Sequence, residues 1–138
     1  MKKNNVVEKT ITYIEAHLEE ELSLEIIAKE LNYSKFYIAR TFAEQTNCTV
    51  YKYIQGRRMT IAAKQLVETE KPMIEIAYEA HYNSQQAFTM AFHRVYQCTP
   101  QSYRKKGIFY PVQTTLYKES RVLWLLSVNS RMGGRMAA

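Results

Sequence analysis

Residues 23–49, SLEIIAKELNYSKFYIARTFAEQTNCT, and residues 72–99, PMIEIAYEAHYNSQQAFTMAFHRVYQCT, are two copies of one pattern. At an offset of 50, Ile38 falls on Phe88, Phe42 on Phe92, Asn47-Cys48-Thr49 on Gln97-Cys98-Thr99 and Tyr53 on Tyr103. At an offset of 49, Ile27-Ala28 falls on Ile76-Ala77 and Tyr33 on Tyr82, so the second copy carries one extra residue in its turn. A steady offset across so many positions marks an internal duplication, and a duplication constrains the fold more than any single segment does.

Each copy has a short helical pattern, a break of about three residues, and a second helix that opens on Ser34 or Ser84, both good N-caps. Ser23 caps the earlier helix of the first copy, with Leu24, Ile27, Ala28 and Leu31 inward, and Pro72 suits the first turn of its counterpart. Ahead of the copies, Val7, Ile11, Ile14 and Leu18 line one face over residues 5–21, with Glu15, Glu19, Glu20 and Glu21 expected on a solvated side. Between the copies, Thr49 caps a long helix to residue 69, with Ile54, Met59, Ala62, Ala63 and Leu66 as its core stripe, and Thr99-Pro100 opens a last short helix. The expected fold is therefore all-α: about seven helices in two helix-turn-helix subdomains joined by a linker helix. The subdomains span about 5–48 and 72–106, the linker about 49–69, and residues 107–138 form a tail.

Composition agrees. In 138 residues there are 4 Gly and 3 Pro, too few for the turns of a compact β domain. Apolar residues make up 46% and charged residues 23%, a balance that folds. No apolar run approaches the ~20 residues that span a bilayer, and no apolar stretch follows the charged start as in a signal peptide, so a cytoplasmic protein is expected. The net charge is +6 and lopsided: residues 1–33 carry four basic and seven acidic groups, residues 34–138 fifteen and six. A basic surface confined to part of a small domain suits a polyanion such as double-stranded DNA. In a helix-turn-helix it is the second helix that enters the major groove.

The strings Tyr33-Ser34-Lys35-Phe36-Tyr37-Ile38-Ala39-Arg40-Thr41-Phe42 and Tyr53-Ile54-Gln55-Gly56-Arg57-Arg58-Met59 resemble the AraC/XylS transcription regulators. So do Ile76-Ala77, Tyr82-Asn83-Ser84-Gln85-Gln86-Ala87-Phe88-Thr89, Phe92, Thr99-Pro100 and Tyr103-Arg104. The likeness covers residues 5–106. It implies a bacterial, homeodomain-like DNA-binding domain that docks as a monomer on two successive major grooves. It further implies transcription regulation, as an activator in contact with RNA polymerase. The first helix starts almost at residue 1, which is similar to short members without a sensor domain. Asn32, Asn47, His81 and Gln97 stand where the family commonly has Gly, so strained turns are expected there. Met90 stands where relatives often carry Arg or another polar base-reader.

Because Ile38 and Phe42 face inward, Lys35, Phe36, Ala39 and Arg40 belong on the outward side of the first reading helix. Arg40 can make two hydrogen bonds to guanine, and Phe36 and Ala39 can touch thymine methyls. The second reading helix offers Gln85, Gln86, Thr89 and Met90, with His93 a turn later; the amides suit adenine and Met90 offers apolar contact. Lys35, Arg57, Arg58, Lys64, Arg94, Arg104, Lys105 and Lys106 form the pool for phosphate contacts. Arg57 could instead tie the linker helix to a Glu.

An enzyme is not expected, since no phosphate loop, metal-spaced His/Cys cluster or activated nucleophile is present; nor is a cofactor or metal. Cys48 and Cys98 repeat with the motif and read as small core residues. The competing functions are a helical protein–protein interaction module and the DNA-binding portion of a larger DNA-repair or sensor protein. Beyond Gly107, Ile108–Val112 and Val122–Leu126 are apolar, strand-like runs that suit either the first strand of a further domain or a tail packed on the helices. Residues 129–138 look disordered.

Overall fold

A computed structural model describes residues 2–111. They form seven helices: α1 (Lys2–Ala16), α2 (Leu24–Leu31), α3 (Lys35–Thr46), α4 (Val50–Glu68), α5 (Met73–Glu79), α6 (Gln85–Tyr96) and α7 (Pro100–Lys106), with no strand among the described residues. The chain separates into two compact units, and the division falls inside α4, between Tyr53 and Ile54.

The first unit packs α1, α2, α3 and the opening turn of α4. Its core is Val6, Val7, Ile11 and Ile14 from α1, then Leu18, Ile27, Ile38, Phe42 and Tyr53, all buried. Phe42 and Tyr53 meet edge to face at 5.7 Å, the geometry that aromatic quadrupoles favour. The helix expected over 5–21 stops at Ala16, although Leu18 is buried as its periodicity required. Glu19, Glu20 and Glu21 come next, and three carboxylates oppose the negative end of a helix. Glu15 is also only half-buried rather than solvated, because Tyr53 Oη donates to its Oε2 at 2.8 Å.

The second unit repeats the plan. The body of α4 supplies Met59, Ala62, Ala63 and Leu66, α5 supplies Ile76 and Ala77, and α6 supplies Phe88 and Phe92. Aromatic contacts run from Tyr82 through Phe88, Phe92 and Tyr96 to Tyr103. Pro72 occupies the N-cap of α5, one residue earlier than expected; having no side-chain acceptor, it caps nothing. Just after α7, Tyr110 packs against the aromatic row of the second unit. The Tyr110 carbonyl accepts from Tyr96 Oη at 3.0 Å and Tyr103 Oη at 3.3 Å, the Tyr110 amide donates to Tyr103 Oη at 3.0 Å, and its ring lies edge-on to both tyrosines. The apolar run at 122–126 and the segment 129–138 lie outside the described residues.

The turns carry the duplication down to single hydrogen bonds. Asn32 (φ 62) and His81 (φ 69) are both left-handed, and in each copy the next residue, a tyrosine, reaches back to the helix: Tyr33 N–H to Ala28 O at 3.1 Å, Tyr82 N–H to Ala77 O at 3.0 Å. Asn47 (φ 57) and Gln97 (φ 63) close α3 and α6 in left-handed conformations as well. The expected strain is thus located at four left-handed residues, and it is mildest at the asparagines, which tolerate this region best.

Candidate nucleic-acid interface

Ser34 and Ser84 fix where the two reading helices begin. Ser34 Oγ accepts from Tyr37 N–H and Ser84 Oγ from Ala87 N–H, each at 3.0 Å, and such a cap contributes about 1 kcal/mol to its helix. The cap positions the next two turns, so residues at equal distances from it occupy equivalent places in the two units.

On α3 the inward residues Ile38, Thr41 and Phe42 are buried. Phe36 and Arg40 are exposed, Phe36 to 72%, while Lys35 and Ala39 are half-buried. A phenylalanine so open on a helix that already has a full core stripe adds little to the packing of the core. Lys35 Nζ donates to Glu25 Oε2 at 3.1 Å and lies 5.5 Å from the Phe36 ring centroid. Glu25 is a neighbour that sequence reading does not reveal, since a separation of ten positions matches no helical spacing. Its carboxyl pKa is lowered by its own backbone N–H and then by Lys35.

On α6, Phe88, Ala91 and Phe92 are buried, whereas Gln85, Gln86 and Met90 are exposed and Thr89 is half-buried. Met90 is 55% exposed. His93 and Arg94, also exposed, occupy the last turn. The expected outward residues of α6 therefore share one face.

The phosphate pool divides. Arg94, Lys105 and Lys106 are exposed, and Lys64 is half-buried on α4. Arg57 and Arg58, on the same helix, are half-buried, and desolvation lowers the Arg58 pKa below the ordinary arginine value. Arg104 is engaged within its own unit. Its Nε donates to Leu66 O at 2.9 Å, and its Nη2 is buried without a hydrogen-bond partner among the described residues. A guanidinium so placed ties α7 to the last turn of α4, where unpaired helix carbonyls need donors. Of the two cysteines, Cys48 is buried, with burial pushing its thiol up to about 11, and Cys98 is half-buried; a thiol raised so far has no thiolate reactivity at Cys48. No cluster of His, Cys, Asp or Glu among the described residues could hold a metal, and no described helix is long and apolar enough to cross a membrane.

Known proteins share this arrangement. The helix-turn-helix domain family matches residues 27–106. The regulatory protein SoxS of Salmonella typhimurium is 36% identical over 106 residues, which cover 77% of this chain and 99% of SoxS. Among solved structures, the C-terminal domain of AraT, a response regulator from Geobacillus stearothermophilus, superposes with a TM-score of 0.69 at 29% identity, over 80% of this chain and 92% of that one. The DNA-binding domain of AdpA, a global transcriptional factor solved in complex with a target DNA, shares the fold with a TM-score of 0.66 at 21% identity, over 72% of this chain and 90% of that one. Duplicated units, capped reading helices and the match to SoxS along nearly its whole length lead to one conclusion: the chain belongs to the AraC/XylS family of bacterial transcription regulators.

Proposed function

We propose that this protein is a sequence-specific activator that binds DNA as a monomer, with α3 and α6 in successive major grooves of one face of the duplex. The observation that carries this reading is the pair of equivalent outward faces, Phe36 and Arg40 on α3 and Gln86 and Met90 on α6, left exposed by helices whose other sides are buried. Arg40 reads a guanine through O6 and N7, Phe36 and Ala39 contact thymine methyls, and Gln85, Gln86, Thr89 and Met90 read the second groove. Arg57, Arg58, Arg94 and Lys105 are the phosphate contacts, which set register without specifying sequence. Contact with RNA polymerase completes activation.

Selection from random DNA and then footprinting test the proposal. The expected site is asymmetric, is protected in two major grooves about one helical turn (~34 Å) apart, and is filled by one chain. Affinity should fall with salt, log K dropping by about 0.9 for every phosphate neutralised. A palindromic site occupied by two chains contradicts the monomer, and affinity indifferent to salt removes DNA as the partner.

A further inference from the structure

The first reading helix carries a device that the second lacks. Lys35 opens α3 and Glu25 sits in the first turn of α2; the 3.1 Å ion pair between them holds the Lys35 ammonium 5.5 Å from the Phe36 ring centroid. In the second unit the positions equivalent to Glu25, Lys35 and Phe36 are Ile74, Gln85 and Gln86, so neither the ion pair nor the ring is available there.

We propose that Glu25 is a positioning residue for base recognition: it withdraws Lys35 from the phosphate backbone and holds the ammonium over Phe36, fixing that ring as an apolar reader of a pyrimidine C5 methyl. This rests on the DNA-binding reading above. Lysine is a flexible point charge, and at the start of a reading helix it would otherwise move to the nearest phosphate. Held by a carboxylate, it serves a different purpose. A cation near one side of the ring is attracted to the ring quadrupole and narrows the side-chain rotamers of Phe36. The bound ring is then already ordered, and methyl contact costs less entropy to form. The device exchanges non-specific attraction for discrimination between thymine and bases without the methyl.

The test uses the full chain and a duplex selected by it from random DNA, with thymines replaced one at a time by deoxyuridine. One position should weaken wild-type binding roughly fourfold, the equivalent of ~0.8 kcal/mol for one buried methyl, and Phe36→Ala should abolish the sensitivity there. Glu25→Gln should cut that ratio to below roughly twofold and steepen the salt dependence by about 0.9, as Lys35 moves to a phosphate. Lys35→Met should cut the ratio without steepening the salt dependence. Loss of a surface carboxylate acting only through its charge would raise affinity for both duplexes alike and leave the ratio intact. If Glu25→Gln leaves either the ratio or the salt dependence at the wild-type value, or if no deoxyuridine position responds to Phe36→Ala, the assignment of Glu25 is overturned. A wild-type chain whose binding ignores salt refutes the DNA-binding reading instead, so the two failures are distinguishable.

Discussion

The two units repeat the same helix order, reading-helix caps and left-handed turns, and use them differently. Tyr53 and Tyr103 are equivalent, and both are buried, yet Tyr53 Oη donates to the Glu15 carboxylate whereas Tyr103 Oη is bonded to the backbone of Tyr110. The cause lies in the course of the chain beyond each tyrosine. After Tyr53 it continues as α4, and the phenol finds its partner on α1; after Tyr103 the helix ends at Gly107 (φ 71) and the chain turns back over the ring. The reading helices diverge as well. The first presents a guanidinium and an aromatic ring, the second two amides and a thioether. Duplication preserved the caps of the reading helices, the left-handed turns and the buried stripe, while the outward positions, free of packing constraints, took on separate chemistry.

The strongest challenge to this equivalence is at the shared core. Phe42→Ala and Phe92→Ala should each cost about 3–5 kcal/mol, the usual range for a fully buried phenylalanine. Denaturant unfolding of both variants checks this, and a loss below ~1 kcal/mol in one alone would mean that the units are not packed alike.

The outward faces should differ. Arg40→Ala is expected to cost about 1–3 kcal/mol on a selected duplex and to relax the preference at one base, whereas Met90→Ala should cost less than ~1 kcal/mol. Titrations on one selected and one random duplex compare them. Equal losses on both duplexes for Arg40→Ala would make Arg40 a phosphate contact and leave α3 without its guanine reader.

Arg104 offers a contrast inside the phosphate pool. Since its Nε is bonded to Leu66 O, Arg104→Ala should destabilise the second unit by about 1–3 kcal/mol through the lost bond and the exposed carbonyl, with the salt dependence of binding unchanged. Lys105→Ala, at an exposed position, should do the reverse, leaving stability within ~0.5 kcal/mol and reducing the salt slope by about one. The smallest effect is at the turns: Gln97→Gly should stabilise by about 0.5–1 kcal/mol and Asn32→Gly by less, because asparagine is already at ease at positive φ. Thermal unfolding measures both.

Much of this fold was legible in the sequence because its determinants are local. Ser23, Ser34, Thr49 and Ser84 all accept the expected backbone hydrogen bond, since a cap needs only its own next three residues. Ile38, Phe42, Phe88 and Phe92 are all buried, since periodicity alone selects a face. What escaped was non-local. Glu25 with Lys35, Glu15 with Tyr53 and Arg104 with Leu66 join residues 10, 38 and 38 positions apart, and nothing in a one-dimensional pattern brings such partners together. Arginine is ambiguous for a related reason: its charge suggests phosphate wherever it occurs, and only packing shows that the Arg104 guanidinium faces a helix end. The end of α1 was overestimated because three glutamates are good helix formers in the interior and poor ones at the negative terminus.

Tyr110 also bears on where the second unit can be cut. Family likeness ends at residue 106, but the backbone of residue 110 satisfies the hydroxyls of Tyr96 and Tyr103, and its ring covers them. A fragment trimmed at the edge of the likeness would hand both phenols to water and uncover the end of the aromatic row that supports α6. Among the described residues, the hydrogen bonds that complete the unit extend past the family likeness to Tyr110, so a recombinant fragment meant to keep the second reading helix in place should extend at least through Pro111.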